Sequence, residues 1–267
     1  MPEPHRRHHR RRPLGPLGPL GPLVLVRHGQ STANAEGRFT GWVDVPLTRH
    51  GEAEAVAAAG LLGAAGLLPD VVHTSVMVRS IRSADLMLAA LDRMWIPVRR
   101  TWRLNERQYG ALTGRDKREV RAEAGGERYR VWRRSLHGRP APLPPAELAR
   151  LRADPRYAAL RPDGVPAVES LADMAARVAP YWADVLTPQL RQGRTVLVVA
   201  HGNALRALCV ILDRLTGPEA ARLDIPTAAP LRYDFTTELR PLTRGGVYLD
   251  PGTARARAAL VAAEGRR

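Results

Sequence analysis

Of 267 residues only one is cysteine, Cys209, and only one is lysine, Lys117. A lone thiol excludes an internal disulfide framework and a structural zinc site built from thiolates, and a reducing cytoplasm is the expected compartment. No run reaches the roughly 18 apolar residues that span a bilayer. The N-terminus has no continuous apolar stretch ending in a small-residue cleavage site, so neither secretion nor a membrane partner is expected. Aromatics make up 5% of the chain, few for a protein that stacks nucleic-acid bases. Acidic residues are outnumbered, 26 against 41 Lys+Arg, giving a formal charge of +15. That surplus asks for an anionic partner, and charge alone does not choose between nucleic acid, a membrane surface and small phosphorylated molecules. What the chain does have is 45% hydrophobic content, enough over this length to bury a large core.

Residues 1–22 begin with a basic run, His5 to Arg12, followed by a Pro-Leu-Gly repeat that ends at Pro22. A proline at every third position forbids helix interiors and sheet ladders, so a disordered extension is expected here, a solvated tail without a functional role. From Leu23 the texture changes. Leu23-Val24-Leu25-Val26 is a short apolar run of the kind that forms a buried strand, and it stops at Arg27-His28-Gly29. Much later Thr195 to Ala200 repeats the arrangement and stops at His201-Gly202-Asn203. Between them helix-like and strand-like segments alternate: a helix over Glu52 to Leu68, a strand at Val71 to Thr74, a helix over Val78 to Arg93 and a strand near Ile96 to Arg99.

That alternation predicts an α/β fold, a three-layer sandwich with a mostly parallel central sheet and helices on both faces. In such sheets ligands bind beyond the carboxyl ends of the strands, where both His-Gly pairs fall. Residues 103–161 are less regular and read as an insertion that covers the site, with a helix over Lys117 to Arg134 and a proline-rich stretch at Pro140 to Pro145. Further helices are expected over Glu169 to Val185, Ala204 to Leu215 and Thr253 to Ala263.

A histidine at the end of a buried strand, next to a glycine that lets a substrate approach the backbone, suits a nucleophile or a general acid/base. One such histidine is ordinarily a hydrogen-bonded core residue; two at equivalent strand ends point to function. Arginines rather than carboxylates flank them, which favours phosphate over a metal ion. Fixed guanidinium forks neutralise a phosphoryl group bidentately, without metal. Arg27 adjoins the first histidine, Arg79 follows the strand at Val71 to Thr74, and Arg133-Arg134 lie in the insertion. Glu106 adds a candidate proton donor, because like charge from nearby phosphates raises the proton affinity of a carboxyl group.

These segments carry a resemblance. Leu23 to Asn34, reading LVLVRHGQSTAN, resembles the signature of the histidine phosphatase superfamily. An ordered set of further segments narrows the resemblance to the cofactor-dependent phosphoglycerate mutases: Arg38 to Trp42, Thr74-Ser75 with Arg79, Leu104 to Leu112, Trp132-Arg133-Arg134, Asp154 to Tyr157, Glu169-Ser170-Leu171, Ala200 to Asn203 and Ile225-Pro226-Thr227. The similarity spans about residues 23 to 267 as one catalytic domain.

The resemblance implies interconversion of 3-phosphoglycerate and 2-phosphoglycerate through a phosphohistidine, primed by 2,3-bisphosphoglycerate and without metal. It implies His28 as nucleophile, His201, Arg27 and Arg79 around the transferring phosphoryl group, and Glu106 as the proton-exchanging residue. Gly29, Gln30, Ser31, Asn34, Thr40, Gly41, Arg107, Tyr109, Lys117, Arg133, Arg134, Gly202 and Asn203 fall on or beside positions that hold the substrate. The lone lysine thus stands at a ligand position. The resemblance also implies a homo-oligomer, dimer or tetramer, acting on small phosphorylated three-carbon acids in the cytoplasm.

Departures from the family pattern occur at Gln30, Ala33, Gln108 and Ala228, where an acidic residue, an aromatic, a histidine and a glycine are usual. None removes a residue with a direct catalytic role. The rival reading within the superfamily is a phosphatase that lets water take the phosphoryl group; the Trp-Arg-Arg segment and its lysine speak for the mutase. A non-catalytic nucleic-acid binder is the rival from another class, but the densest basic run lies in the tail.

Overall fold

Leu23 to Val26 and Val196 to Ala200 are apolar at every position because they lie at the centre of a sheet covered on both faces, where each alternate side chain needs an apolar partner. In the computed structural model, which describes residues 19–263, six strands form one sheet. They are β1 (Leu23–Arg27), β2 (Val71–Thr74), β3 (Val98–Arg100), β4 (Val196–Ala200), β5 (Leu231–Tyr233) and β6 (Val247–Tyr248), arranged in the order β3-β2-β4-β1-β5-β6. The first four run parallel. β5 and β6 add an antiparallel edge that the sequence reading did not foresee; they are three and two residues long, too short for a periodicity to show.

Leu23, Leu25, Val196 and Val198 face the helices Leu171–Tyr181 and Gly202–Asp213, whereas Val24, Val26, Leu197 and Val199 face the helices Arg49–Ala64 and Val78–Ala90. The expected helices are present with shifted ends, each set by local chemistry. Thr48 caps Arg49–Ala64 by accepting from the Gly51 amide at 3.0 Å. Ser170 and Asp173 form a reciprocal capping box, so that helix starts at Leu171 rather than Glu169. Beyond Pro180 it continues through a π turn, Trp182–Leu186, into Thr187–Arg191. The helix expected over Lys117 to Arg134 is two, Lys117–Ala124 and Gly126–Arg134, because Gly125 takes φ +79°, which ends the first and turns the chain. Pro145–Arg152, with proline in its first turn, is a further helix the sequence reading left irregular.

The expected boundary at Pro22 moves. The Gly21 amide donates to the Leu190 carbonyl at 2.9 Å, the Val196 amide donates to the Pro22 carbonyl, and Leu20 packs on the core. The last residues of the Pro-Leu-Gly repeat are therefore tied to the body of the fold, and a Cβ on Gly21 would stand 1.9 Å from the Arg194 carbonyl oxygen. The basic run His5 to Arg12 and the remainder of the expected extension lie outside the described residues.

Segments between β3 and the helix Leu171–Tyr181 cross the carboxyl ends of the parallel strands. Two small apolar clusters anchor them, one of Phe39, Leu112, Val120 and Tyr129, the other of Trp42, Met77, Tyr157 and Val165. Both clusters join this covering layer to loops that leave β1 and β2.

Candidate active site

β1 and β4 are adjacent and parallel, with Arg27 in register with Ala200. The next residue of each strand is a histidine, so the pairing delivers His28 and His201 to the same spot; their rings meet edge to face with centroids 4.9 Å apart. Both are buried. The His28 amide continues the ladder by donating to the Ala200 carbonyl at 2.9 Å.

The tautomer of His28 follows from its neighbour. Nδ1 lies 2.7 Å from the Gly29 carbonyl oxygen, which only accepts, so Nδ1 carries the proton and Nε2 keeps its lone pair. Burial, reinforced by Arg79 and Arg27, holds the ring well below the ordinary imidazole range, so it is neutral at pH 7. Burial likewise lowers His201, helped by Arg79, His28, Arg177 and Arg27. His201 Nε2 lies 2.7 Å from the Ser75 hydroxyl, and its Nδ1 has no protein partner among the described residues. A neutral imidazole with an exposed lone pair among cations is a nucleophile prepared for phosphorus.

Arg27 and Arg79 are aimed by backbone carbonyls rather than by carboxylates. Arg27 Nη1 donates to Ile225 at 3.0 Å. Arg79, fully buried, donates to Val43 at 3.0 Å and to Gly41 at 3.2 Å, with Asp44 at 3.9 Å. Burial brings Arg79 down to about 10, which leaves it charged at neutral pH. Glu106 Oε1 accepts from its neighbour's amide on Arg107 at 2.6 Å and from Asn203 Nδ2 at 2.9 Å. Among the described residues no donor holds its other oxygen. Asn203 Nδ2 also reaches the Tyr109 hydroxyl at 2.8 Å, so the second His-Gly-Asn segment positions both side chains.

These groups line one cavity. Arg27, His28, Asn34, Thr40, Arg79, Glu106, Tyr109, Lys117, Arg133, Arg134, Gly202 and Asn203, all expected from the sequence, are on its wall. His201 is not on that wall; its ring touches that of His28. Other expected residues lie beside the cavity rather than on it. Gly29 packs against the helix Arg49–Ala64, where a Cβ would come within 1.9 Å of the Gly51 carbonyl oxygen. Gln30 bonds Thr48 and Glu54, and Ser31 caps a short helix with Asn34. Gly41 contributes its carbonyl to Arg79, and Arg107 is buried beneath the Tyr109 ring, 4.5 Å from its centroid, with a bond to the Trp132 carbonyl.

The sequence reading missed Arg206. It lines the cavity, donates to the Asn203 side-chain oxygen at 2.8 Å and holds the carbonyls of Arg134 and Ala220. Its spacing of three residues from Asn203 on one helix face was the available signal. Asp224, which pairs with Arg134, was missed as well and had no sequence signal of its own.

The cavity thus carries two groups of cations, Arg27 and Arg79 from the strand-end segments and Lys117, Arg133 and Arg134 from the covering layer. Arg27 Nε, His201 Nδ1 and Arg206 Nε are buried without a protein partner among the described residues, a donor set that fits phosphate oxygens.

A strand-end pair of neutral histidines framed by arginines suits phosphoryl-transfer chemistry at an imidazole. A family model for the histidine phosphatase superfamily (branch 1) matches residues 23–160 and 142–244. Among curated proteins, a 2,3-bisphosphoglycerate-dependent phosphoglycerate mutase of Mycobacterium tuberculosis is 53% identical over 91% of this chain and 97% of its own length. One of the same name from Streptomyces griseus is 51% identical over 92% of this chain and 97% of its own length. Among solved structures, a mycobacterial glucosyl-3-phosphoglycerate phosphatase shares the fold, with a TM-score of 0.66, 24% identity, and coverage of 85% of this chain and 100% of that one. The chain belongs to the histidine phosphatase superfamily and, within it, to the 2,3-bisphosphoglycerate-dependent phosphoglycerate mutases.

Proposed function

We propose that this enzyme interconverts 3-phosphoglycerate and 2-phosphoglycerate in glycolysis and gluconeogenesis through a phosphorylated His28. The observation that carries the reading is that one cavity wall combines the His28 ring and its arginines, Arg27 and Arg79, with a second cationic group from the covering layer, Lys117, Arg133 and Arg134. A phosphatase needs only the first group; a mutase must hold a molecule with two anionic ends while either phosphoryl position faces the nucleophile. Residues 103–161, which supply Lys117, Arg133 and Arg134, serve as the covering layer of one catalytic domain, and residues 1–18 are dispensable.

Bound 2,3-bisphosphoglycerate supplies the phosphoryl group that loads His28. Arg27, Arg79 and the His201 side chain would hold that phosphoryl group in place, and Lys117, Arg133, Arg134 and Arg206 the opposite end of the ligand. His28 attacks phosphorus through Nε2 while the proton stays on Nδ1, held by the Gly29 carbonyl. In the forward transfer Glu106 accepts the proton of the substrate hydroxyl as its oxygen takes the phosphoryl group from Nε2. When Nε2 takes back the phosphoryl group on the neighbouring carbon, Glu106 returns the proton to the oxygen released. General acid/base help of this kind contributes about 10²–10⁴ in rate. Guanidiniums fixed before the reaction neutralise the equatorial oxygens without reorganisation, so no metal is called for. Family membership further supports a cytoplasmic homo-oligomer.

The test is a coupled assay of 2-phosphoglycerate formation from 3-phosphoglycerate, with and without catalytic 2,3-bisphosphoglycerate and in the presence of a chelator, with free phosphate followed in parallel. Isomerisation that depends on the bisphosphate and survives the chelator is expected. Phosphate release without isomerisation would make the protein a phosphatase.

A further inference from the structure

Beside the catalytic cavity lies a second, larger chamber of about 720 Å³, lined by Arg121, Arg130, Arg133, Arg134 and Arg222, with Asp224 the one carboxylate among the described residues on its wall. The two spaces share Arg133, Arg134 and Asp224. Asp224 is already engaged by Arg134. Arg133 is held over the Tyr129 ring, 5.5 Å from its centroid, with one nitrogen on the Tyr129 hydroxyl at 3.2 Å.

The remaining three, Arg121, Arg130 and Arg222, form no ion pair among the described residues, and Arg130 and Arg222 are exposed. Arg82, Arg115, Arg139, Arg156, Arg232 and Arg244 each have a carboxylate within 2.8 Å. Other exposed arginines, Arg49, Arg128 and Arg214 among them, are without an ion pair among the described residues too, but Arg121, Arg130 and Arg222 converge on one concavity together with Arg133 and Arg134. Like charges gathered around a concave site, five arginines to one carboxylate among the described residues that line it, raise the local concentration of anions. Planar guanidinium forks bind phosphoryl oxygens bidentately and are the favoured partners of linked phosphates.

We infer that this chamber is a second anion site for a chain of linked phosphoryl groups, seated on Arg121, Arg130 and Arg222 and reaching Arg133 and Arg134 from the outside. A three-carbon acid is too short to need it: its two ends are already accommodated in the catalytic cavity. Occupation of the chamber places negative charge on the guanidiniums that the substrate also uses, so the ligand competes with phosphoglycerate. The binding stands independently of the proposed activity, while the competition rests on it.

Tripolyphosphate and adenosine triphosphate, without added metal, serve as probes of the two sources of such a chain. Each is titrated calorimetrically into the full-length protein and into the triple variant Arg121→Ala, Arg130→Ala, Arg222→Ala, whose folding is checked by circular dichroism and thermal melting. The variant should bind the tighter of the two probes about 10–100-fold more weakly, the loss expected for removing charge-assisted contacts. Inorganic phosphate, small enough for the catalytic cavity alone, should bind both proteins equally. In the mutase assay the inhibition constant of that probe should rise in parallel while the KM for 3-phosphoglycerate stays within about twofold, because none of the three arginines lines the catalytic cavity. A tighter tripolyphosphate identifies a free inorganic chain as the ligand, a tighter adenosine triphosphate a nucleotide. Equal binding of the probes by the folded variant and the parent, or no binding by either protein, overturns the inference whether or not the mutase activity is found.

Discussion

Arg177 does not itself line the cavity, yet its removal should cost both stability and rate. Its guanidinium lies against Glu169, with bonds of 2.6 and 3.1 Å, and its remaining hydrogens reach the carbonyls of Trp102, Arg103, Asn105 and Glu106. Glu169 in turn accepts from the Gln108 amide at 2.9 Å. Together they clamp the irregular segment that carries Glu106, where no helix or strand supplies bonds of its own. In Arg177→Met the side chain still fills space, but Glu169 becomes an uncompensated buried charge and four carbonyls lose a donor. Breaking a buried pair in this way costs about 3–5 kcal/mol, out of a total of about 5–15 kcal/mol for a typical domain. At a urea slope of about 2–3 kcal/mol per molar, the unfolding midpoint should fall by about 1–2 M. A displaced Glu106 backbone should also lower kcat by about 100-fold, the usual effect of a misplacement near 1 Å, with KM little changed. Arg177→Met combined with Glu169→Leu should regain part of the stability, since the unpaired charge is gone, but not the rate. The reasoning fails if Arg177→Met unfolds within about 0.3 M urea of the parent, or if it is destabilised while kcat is unaffected.

Glu106→Gln should lower kcat by about 10²–10⁴ and leave KM within a few-fold, read from steady-state isomerisation; a normal kcat with a raised KM would make Glu106 a binding group instead. Acid should destabilise the fold well above the carboxylate range. His73, buried and bonded to Tyr181 and Gln189, is brought down to about 4 chiefly by burial, and His28 and His201 are lowered as well. Above about pH 6.5 neither state is protonated and these groups contribute nothing; below it the unfolded chain takes up protons that the native one refuses. Stability should therefore fall by about 1.4 kcal/mol per pH unit per histidine, and a urea midpoint unchanged from pH 7 to 5 would contradict this. Deleting residues 1–18 should leave kcat and melting temperature unaltered. Gly21→Val, forced onto the Arg194 carbonyl, should cost about 1–3 kcal/mol in urea unfolding, whereas a neutral effect would show that Gly21 is not held as described.

Where periodicity and local motif agreed, the sequence was enough. The two apolar runs that end in His-Gly read as buried strands because both faces of β1 and β4 are covered, while their side-by-side pairing is shown by the register of the sheet. The departure at Ala228 also has a structural counterpart: the residue adopts φ +46°, the left-handed region that a glycine enters without strain. Less was legible where position depends on distant partners. Arg107 stood in a motif beside Glu106, but only packing shows that it props the Tyr109 ring from behind. Arg206 and Arg177 each reach a carbonyl 72 positions away, and one arginine among many gives no hint of which carbonyls it will meet. The antiparallel edge strands are defined by their register to β1 and to each other, not by their own composition.

The central claim is that His28 is the group through which the phosphoryl group passes. Mixing the enzyme with 2,3-bisphosphoglycerate labelled in its phosphates, quenching within milliseconds and digesting in alkali should yield an acid-labile label on the peptide that carries His28. Chasing with unlabelled 3-phosphoglycerate should then move that label into phosphoglycerate. Label that persists on the protein in His28→Ala, or leaves the native enzyme only as inorganic phosphate, would contradict it.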